Sequence, residues 1–362
     1  MKKAKAAIFT GSGIPMSLQE IDVPELVKGQ VLVRNRYTTL CRSDLNTFSG
    51  KRTEKTPTIL GHEIVGTIAK LADGSPQTDT AGKELRTDDR ITWAIYSSNP
   101  KSTLAKRGIP QKAPDLFKYG HEAIRGNKTL HGGLAQFTLL QPNTPILKLN
   151  DDIPDSVAAL INCSVSTVAG ALRLAGPLAG KNVVVSGVGM LGLVACGMAQ
   201  TAGAKSVTAM DINEHRLKKA KVFGASHFFN PGVDSEESLL RTFGRPNPFD
   251  VVLEFSGAAS AMENTLKLLS IGGSAIWVGA TFPQRDIQLD AEYLIRKLLT
   301  IKGLHNYNLE DFKTAVAFVS EHHSTYPFSS LVEHYGTLDK VNEAFKYGID
   351  SNAFRVGIDP AK

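Results

Sequence analysis

The chain has 362 residues, 42% of them hydrophobic and 21% charged, and a formal net charge of +6. That length and apolar share build two domains with cores of their own and exclude a disordered chain. The basic residues are scattered, with neither a Lys/Arg block nor interleaved aromatics, which argues against a nucleic-acid partner, and three cysteines (Cys41, Cys163, Cys196) are too few for a disulfide framework.

The N-terminal stretch MKKAKAAIFTGSG is basic but lacks the apolar segment of a signal peptide. No uninterrupted apolar run of membrane-spanning length follows it. A cytoplasmic protein without a membrane partner is expected.

Over the first 150 residues, short β-rich stretches such as QVLVRNRYTT and EIVGTIAKL alternate with Gly/Pro turns, the pattern of a mostly antiparallel region. Within it lie Cys41-Arg42-Ser43-Asp44 and Gly61-His62-Glu63. Taken singly, His62 reads as a turn histidine and Cys163, further on, as a small buried residue. From about Asp155 the pattern becomes strand-helix alternation through VVVSG, SVTAMD, VVLEFSG and AIWVGA, which predicts a doubly wound parallel sheet. The segments GGSAIWVGA and LLTIKGL read as edge strands. The tail AFRVGID returns to strand-like character and is expected to fold back onto the first domain.

The most specific signal lies between Val183 and Asp211. An apolar strand runs into Gly187, Gly189 and Gly192, a helix follows, and a second strand ends in Asp211, 19 residues past Gly192. Gly187 permits the tight turn, Gly189 lets the backbone approach a pyrophosphate, and Gly192 lets the helix pack closely on the sheet. Phosphates would then face the unpaired N–H groups of the helix start. The Asp211 carboxylate suits the ribose hydroxyls of NAD and repels the 2′-phosphate of NADP. Arg216 points the other way, although it reads equally as a solvated helix-face arginine.

Together CRSD, GHE, Cys163 with the following SVST, and the glycine turn resemble the zinc-containing medium-chain alcohol dehydrogenases over essentially the whole chain. Within that family, LFKYGHEAI, GMLGL, VVLEFSGAA and LTIKGLHNYNLEDF resemble the branch associated with phosphonate catabolism. The resemblance implies an α/β fold: a Rossmann domain over 164–304 and a β-rich, GroES-like catalytic domain from 1–163 and 305–362. It implies a catalytic zinc on Cys41, His62 and Cys163, ligands 21 and 101 residues apart, with a fourth position open to substrate. Asp44 would orient His62, and Glu63 would lie behind the metal.

By the same resemblance Ser43 takes the alcohol proton, Thr167 and Leu191 hold the nicotinamide, and Arg42 and Arg355 neutralise the pyrophosphate. Asn46 stands where relatives carry a relay histidine and has no titratable proton near neutrality. The four positions matching a structural-zinc lobe are Asn99, Ser102, Ala105 and Ala113, none of which supplies a thiolate, so one zinc per subunit is expected. Arg52, with Lys51 beside it and Lys118 and His121 on the lobe, suits capture of a carboxylate, phosphate or phosphonate, or else sits on a solvated loop. The expected activity is hydride transfer between NAD(H) and an alcohol or carbonyl in a homodimer or homotetramer. A zinc-free NADPH quinone reductase and a non-catalytic dinucleotide-binding protein are the rivals; the intact ligand set and Asp211 speak against both.

Overall fold

The computed structural model describes residues 3–126 and 128–362. The chain divides into two compact units, Met1–Ser166 with Asn308–Lys362, and Thr167–Tyr307.

The first unit is built on a mixed sheet whose strands run in the order Val332–Thr337, Arg355–Asp359, Val31–Leu40, Glu63–Leu71, Arg90–Trp93, Ile146–Lys148, with Phe137–Leu140 also pairing Val31–Leu40. The tail strand Arg355–Asp359 lies antiparallel to Val31–Leu40, with Val356 opposite Leu40. Apolar faces of these strands bury two clusters, one around Phe9, Leu60 and Phe345, the other around Ile64, Trp93 and Tyr119. What positions the site is the register of one hairpin-like pair: Thr39 faces Glu63 in the antiparallel pairing of Val31–Leu40 with Glu63–Leu71. Cys41, just past one strand, and His62, just before the other, therefore emerge at the same sheet end.

The second unit carries a six-stranded parallel sheet in the order His227–Phe229, Ser206–Met210, Asn182–Ser186, Phe249–Glu254, Leu269–Trp277, Thr300–Gly303. Its central strands NVVVS and SVTAM are buried along their full length, as expected where helices cover both faces. Strand order reverses at Asn182–Ser186, so the crevice at its carboxyl end is the topological switch point of a doubly wound sheet. The expectation of two edge strands is corrected: Thr300–Gly303 is an edge, whereas Leu269–Trp277 has neighbours on both sides. The helical run Asp155–Ala175 is long and apolar enough to cross a membrane, but 78% of that window is buried, as in a core helix.

Candidate active site

Cys41 follows strand Val31–Leu40 as the N-cap of helix Arg42–Phe48. His62 precedes strand Glu63–Leu71, and Cys163 sits in the single π-helical turn Ile161–Val165, a local widening that often marks functional positions. The side chain of Asn162 accepts the Ile64 backbone N–H at 3.2 Å, which ties that turn to the His62 strand. One ligand atom from each of Cys41, His62 and Cys163 lies within 4.8 Å of the others. That spacing fits an ion held at roughly 2.0–2.3 Å from sulfur and nitrogen.

The electrostatics fit a divalent cation as well. A hydrogen bond from Cys163 is the largest influence on Cys41 and holds its thiol well below the ordinary range, while burial opposes it and the Arg355 charge assists. The same bond and burial push Cys163 the other way. A cation bound between the two sulfurs would take the place of a thiol proton.

Behind the ligands stands a buried charge network. Asp44, 1% exposed, accepts the backbone N–H of Cys41 at 2.9 Å and of Gly61 at 3.2 Å, and its Oδ1 lies 3.3 Å from Nδ1 of His62. Glu63 is fully engaged. Its Oε2 accepts from Thr39 Oγ1 at 2.6 Å and Arg355 Nε at 2.8 Å; its Oε1 accepts from Ser164 Oγ at 2.6 Å and Arg355 Nη2 at 3.0 Å. Arg355 Nη2 also lies 3.6 Å from Cys41 Sγ, and Nη1 donates to the Phe354 carbonyl at 2.8 Å. The Arg355 guanidinium is 4% exposed, bonded to Glu63 and, at 2.8 Å, to Ser164 Oγ, and borders the Cys41 thiol. Only the tertiary fold reveals this, because the partners are 292 residues apart.

On the open side, Ser43 Oγ lies 3.5 Å from His62 Nε2. The His121 ring packs 4.9 Å from the His62 ring, and its Nδ1 lies 2.7 Å from Glu54 Oε1. The same Oε1 is 2.6 Å from Nη2 of Arg52, whose side chain is 26% exposed. Arg52 is thus linked to His62 through Glu54 and His121. Glu54 is the residue the sequence reading missed; burial raises its carboxyl pKa against the charges of Arg52 and Lys118. Lys51 is exposed, and Asn46 is half-buried with its carbonyl accepting the Arg52 backbone N–H at 3.1 Å. Arg42 is exposed on the first turn of its helix.

In the lobe, Asn99 donates its backbone N–H to Asp115 at 2.8 Å, Ser102 caps helix Thr103–Lys106 through Ala105, and Ala113 is buried. Hydrogen bonds and packing hold this segment.

In the second unit the three glycines are sorted by what a Cβ would meet. At Gly187, with φ +83°, it would lie 2.4 Å from the Ser256 nitrogen; at Gly192, 2.1 Å from the Gly187 carbonyl oxygen; at Gly189, it meets nothing within 4 Å. Two glycines are required by packing, and the third leaves open the space a pyrophosphate needs. Asp211 ends strand Ser206–Met210 and accepts the N–H of Val188 at 3.0 Å and of Asn213 at 2.9 Å, with Arg216 Nη1 at 3.8 Å. Below the turn, the buried Glu254 accepts the N–H groups of Ser256 at 2.9 Å and Gly257 at 3.1 Å. Thr167 is buried at the start of its helix, and Leu191 is half-buried on the first turn of Met190–Thr201.

Two family profiles match the chain, that of the alcohol dehydrogenase GroES-like domain over residues 27–151 and that of zinc-binding dehydrogenases over 190–321. The molecule is thus a zinc-binding dehydrogenase by class. An L-threonine 3-dehydrogenase of Idiomarina loihiensis is 26% identical over 358 residues, 98% of each chain. Among solved structures, an alcohol dehydrogenase of Thermotoga maritima superposes with a TM-score of 0.92 at 27% identity, covering 99% of each chain. A zinc-binding dehydrogenase of Sinorhizobium meliloti bound to NADP shares the fold, with a TM-score of 0.86 at 18% identity over 99% of this chain and 100% of that one. The chain belongs to the zinc-binding medium-chain alcohol dehydrogenase family, oxidoreductases that act on small molecules with a nicotinamide cofactor.

Proposed function

We propose that this protein transfers hydride between NAD(H) and an alcohol or carbonyl compound that also carries an anionic group, a phosphonate among the candidates. The observation that carries the anionic part is the Glu54 oxygen shared by Arg52 and His121, with the His121 ring against His62. A guanidinium so placed favours substrates whose charged end lies a short carbon chain from the reacting hydroxyl.

Cys41, His62 and Cys163 would hold one zinc ion per subunit, which acts when bound as a Lewis acid toward the substrate oxygen. Ser43, whose hydroxyl borders His62 at 3.5 Å, is the group that takes up the alcohol proton. With Asn46 in place of a titratable side chain, that proton leaves through water or the cofactor ribose. Asp211 at the end of strand Ser206–Met210 favours NAD over NADP, with Arg216 Nη1 at 3.8 Å. Thr167 and Leu191 bound the nicotinamide, and Arg42 serves the pyrophosphate. Exposed Ile271, Ile295 and Leu298, near the Thr300–Gly303 edge, support pairing of two subunits there.

The test is NADH absorbance with chain-matched alcohols that end in a phosphonate, a carboxylate or a methyl group, for wild type and Arg52→Ala. Selective loss on the anionic substrates is expected. An equal loss on all three removes Arg52 from recognition.

A further inference from the structure

Glu254 ends strand Phe249–Glu254 at the switch point, in register with Ser186 on one side and Trp277 on the other. Its side chain is fully buried, and the turn that follows it meets the charge. Oε1 accepts the Ser256 N–H at 2.9 Å and the Ser256 hydroxyl, and both oxygens reach the Gly257 N–H, at 3.2 and 3.1 Å. The Ser256 hydroxyl in turn accepts the Ala258 N–H at 3.1 Å. Main-chain bonds tie the same residue to both neighbouring strands. The Glu254 carbonyl accepts the N–H groups of Val278 at 2.9 Å and Gly279 at 3.2 Å, and Phe255 donates its N–H to the Ser186 carbonyl at 2.7 Å.

Three chain segments therefore meet here backbone to backbone. A Cβ on Gly187 would lie 2.4 Å from the Ser256 nitrogen, and one on Gly279 would lie 2.3 Å from the Gly257 nitrogen. Such packing has no slack, so whatever sets the turn at Ser256 and Gly257 sets the spacing between the glycine turn after Asn182–Ser186 and the end of Leu269–Trp277. A dinucleotide crosses the switch point with its adenosine half on the Asp211 side and its other half over the strands beyond the reversal, Phe249–Glu254 and Leu269–Trp277. The turn, on which Ser256 is exposed, is a wall of that second half.

We propose that Glu254 is a positioning residue for the nicotinamide half of the cofactor: its carboxylate holds the turn at Ser256 and Gly257 against Gly187 and Gly279 before the dinucleotide arrives. A buried carboxylate suits this task, because charge-assisted bonds are stronger than neutral ones and the turn cannot swing away without stranding a charge. Neither the choice between NAD and NADP nor the anionic substrate bears on this role.

The zinc-loaded protein is titrated with NADH and NADPH by calorimetry, and with the adenosine half alone, AMP or, where NADPH binds more tightly, 2′,5′-ADP. Wild type is compared with Glu254→Gln, which keeps one acceptor oxygen and sets an amide N–H₂ group against the Gly257 N–H. For the dinucleotide that wild type binds more tightly, the variant should raise Kd by roughly ten-fold or more, with the adenosine half within about two-fold. Equal weakening of both would assign Glu254 to the fold of the whole unit and overturn the proposal, as would unchanged dinucleotide affinity. Wild type itself supplies a second measurement that does not depend on the variant folding. Amide hydrogen exchange across residues 254–258 should already be slow without cofactor. Fast exchange that slows only on adding the dinucleotide would mean that the cofactor orders the turn, and it too overturns the proposal. Tighter binding of NADPH than NADH would sink the NAD preference above and leave the role of Glu254 standing, whereas binding of neither dinucleotide sinks both.

Discussion

Oδ1 of Asp44 stands 3.3 Å from Nδ1 of His62, and the same carboxylate receives the backbone N–H groups of Cys41 and Gly61. One side chain thereby fixes the segments carrying two of the three candidate metal ligands. It also sets the ring's chemistry. Burial would lower the His62 pKa, but the Asp44 charge, with bonds from Asp44 and Cys41, outweighs it and pushes it up to about 10. With the Asp44 charge beside Nδ1, Nε2 on the Ser43 side is the nitrogen that would bind a metal.

Asp44→Asn keeps an acceptor for the backbone groups but removes the charge. Zinc affinity is expected to fall by roughly 10–100-fold, read by competition with a chelating indicator, while the folded protein persists. Unchanged affinity would mean that the backbone bonds alone position His62.

The Glu63–Arg355 pair predicts a larger effect on stability. Both side chains are nearly inaccessible, at 0% and 4% exposed. Arg355→Met strands a buried carboxylate whose pKa burial already raises against the Arg355 charge. The expected loss is roughly 3–5 kcal/mol in denaturant unfolding. The double variant Glu63→Gln with Arg355→Met should recover part of it, since no unpaired charge is then buried. Strict additivity of the two single losses would show that the pair is not coupled.

Much of this architecture is legible in local sequence, because the signals that specify it are local. Strand-helix alternation announces the parallel sheet, and three glycines before a helix announce its switch-point turn. The candidate metal ligands are legible only through motifs that resemble a family, since nothing in their spacing brings them together; the Thr39 to Glu63 register does that for Cys41 and His62, and the Asn162 bond to Ile64 for Cys163. What escapes reading is burial of charge. Arg52 and Glu54 sit in SGKRTEKTP, which looks like a solvated loop, yet Glu54 is 9% exposed and its partner His121 is 67 residues away. The Arg355–Glu63 pair escapes for the same reason: a lone arginine in a tail strand carries no mark of a distant carboxylate.

The glycine turn yields a paired prediction in which similar substitutions part company. Gly189→Ala adds a methyl group to open space at φ −70°, so the fold should be unaffected. NAD affinity, followed by quenching of protein fluorescence, should drop by roughly ten-fold or more, because the methyl occupies the path of the pyrophosphate. Gly192→Ala instead drives a methyl to 2.1 Å from the Gly187 carbonyl oxygen. Its expected signature is a loss on the order of 3 kcal/mol or more in unfolding, with or without cofactor. Normal stability of Gly192→Ala would contradict the close helix–sheet approach.

His131 makes the stability of the first unit sensitive to acid. It is 1% exposed, and neither ring nitrogen has a hydrogen-bond partner among the described residues. Burial lowers its pKa to about 4, partly opposed by the Glu122 charge, whereas the unfolded imidazole titrates near its ordinary value of 6.5. The neutral ring is therefore favoured in the folded state. Its contribution is intact above about pH 6.5 and lost as pH falls toward about 4, because the unfolded chain takes up the proton first. The full difference is worth about 3 kcal/mol, most of it gone by about pH 4.5. His131→Leu removes both the proton and the unpaired nitrogens. It should lie within about 1 kcal/mol of wild type at neutral pH and exceed it by about 2–3 kcal/mol near pH 4.5 in denaturant unfolding. Parallel pH profiles for the two proteins would show that His131 is hydrogen-bonded to solvent in the folded state and does not set the acid limit.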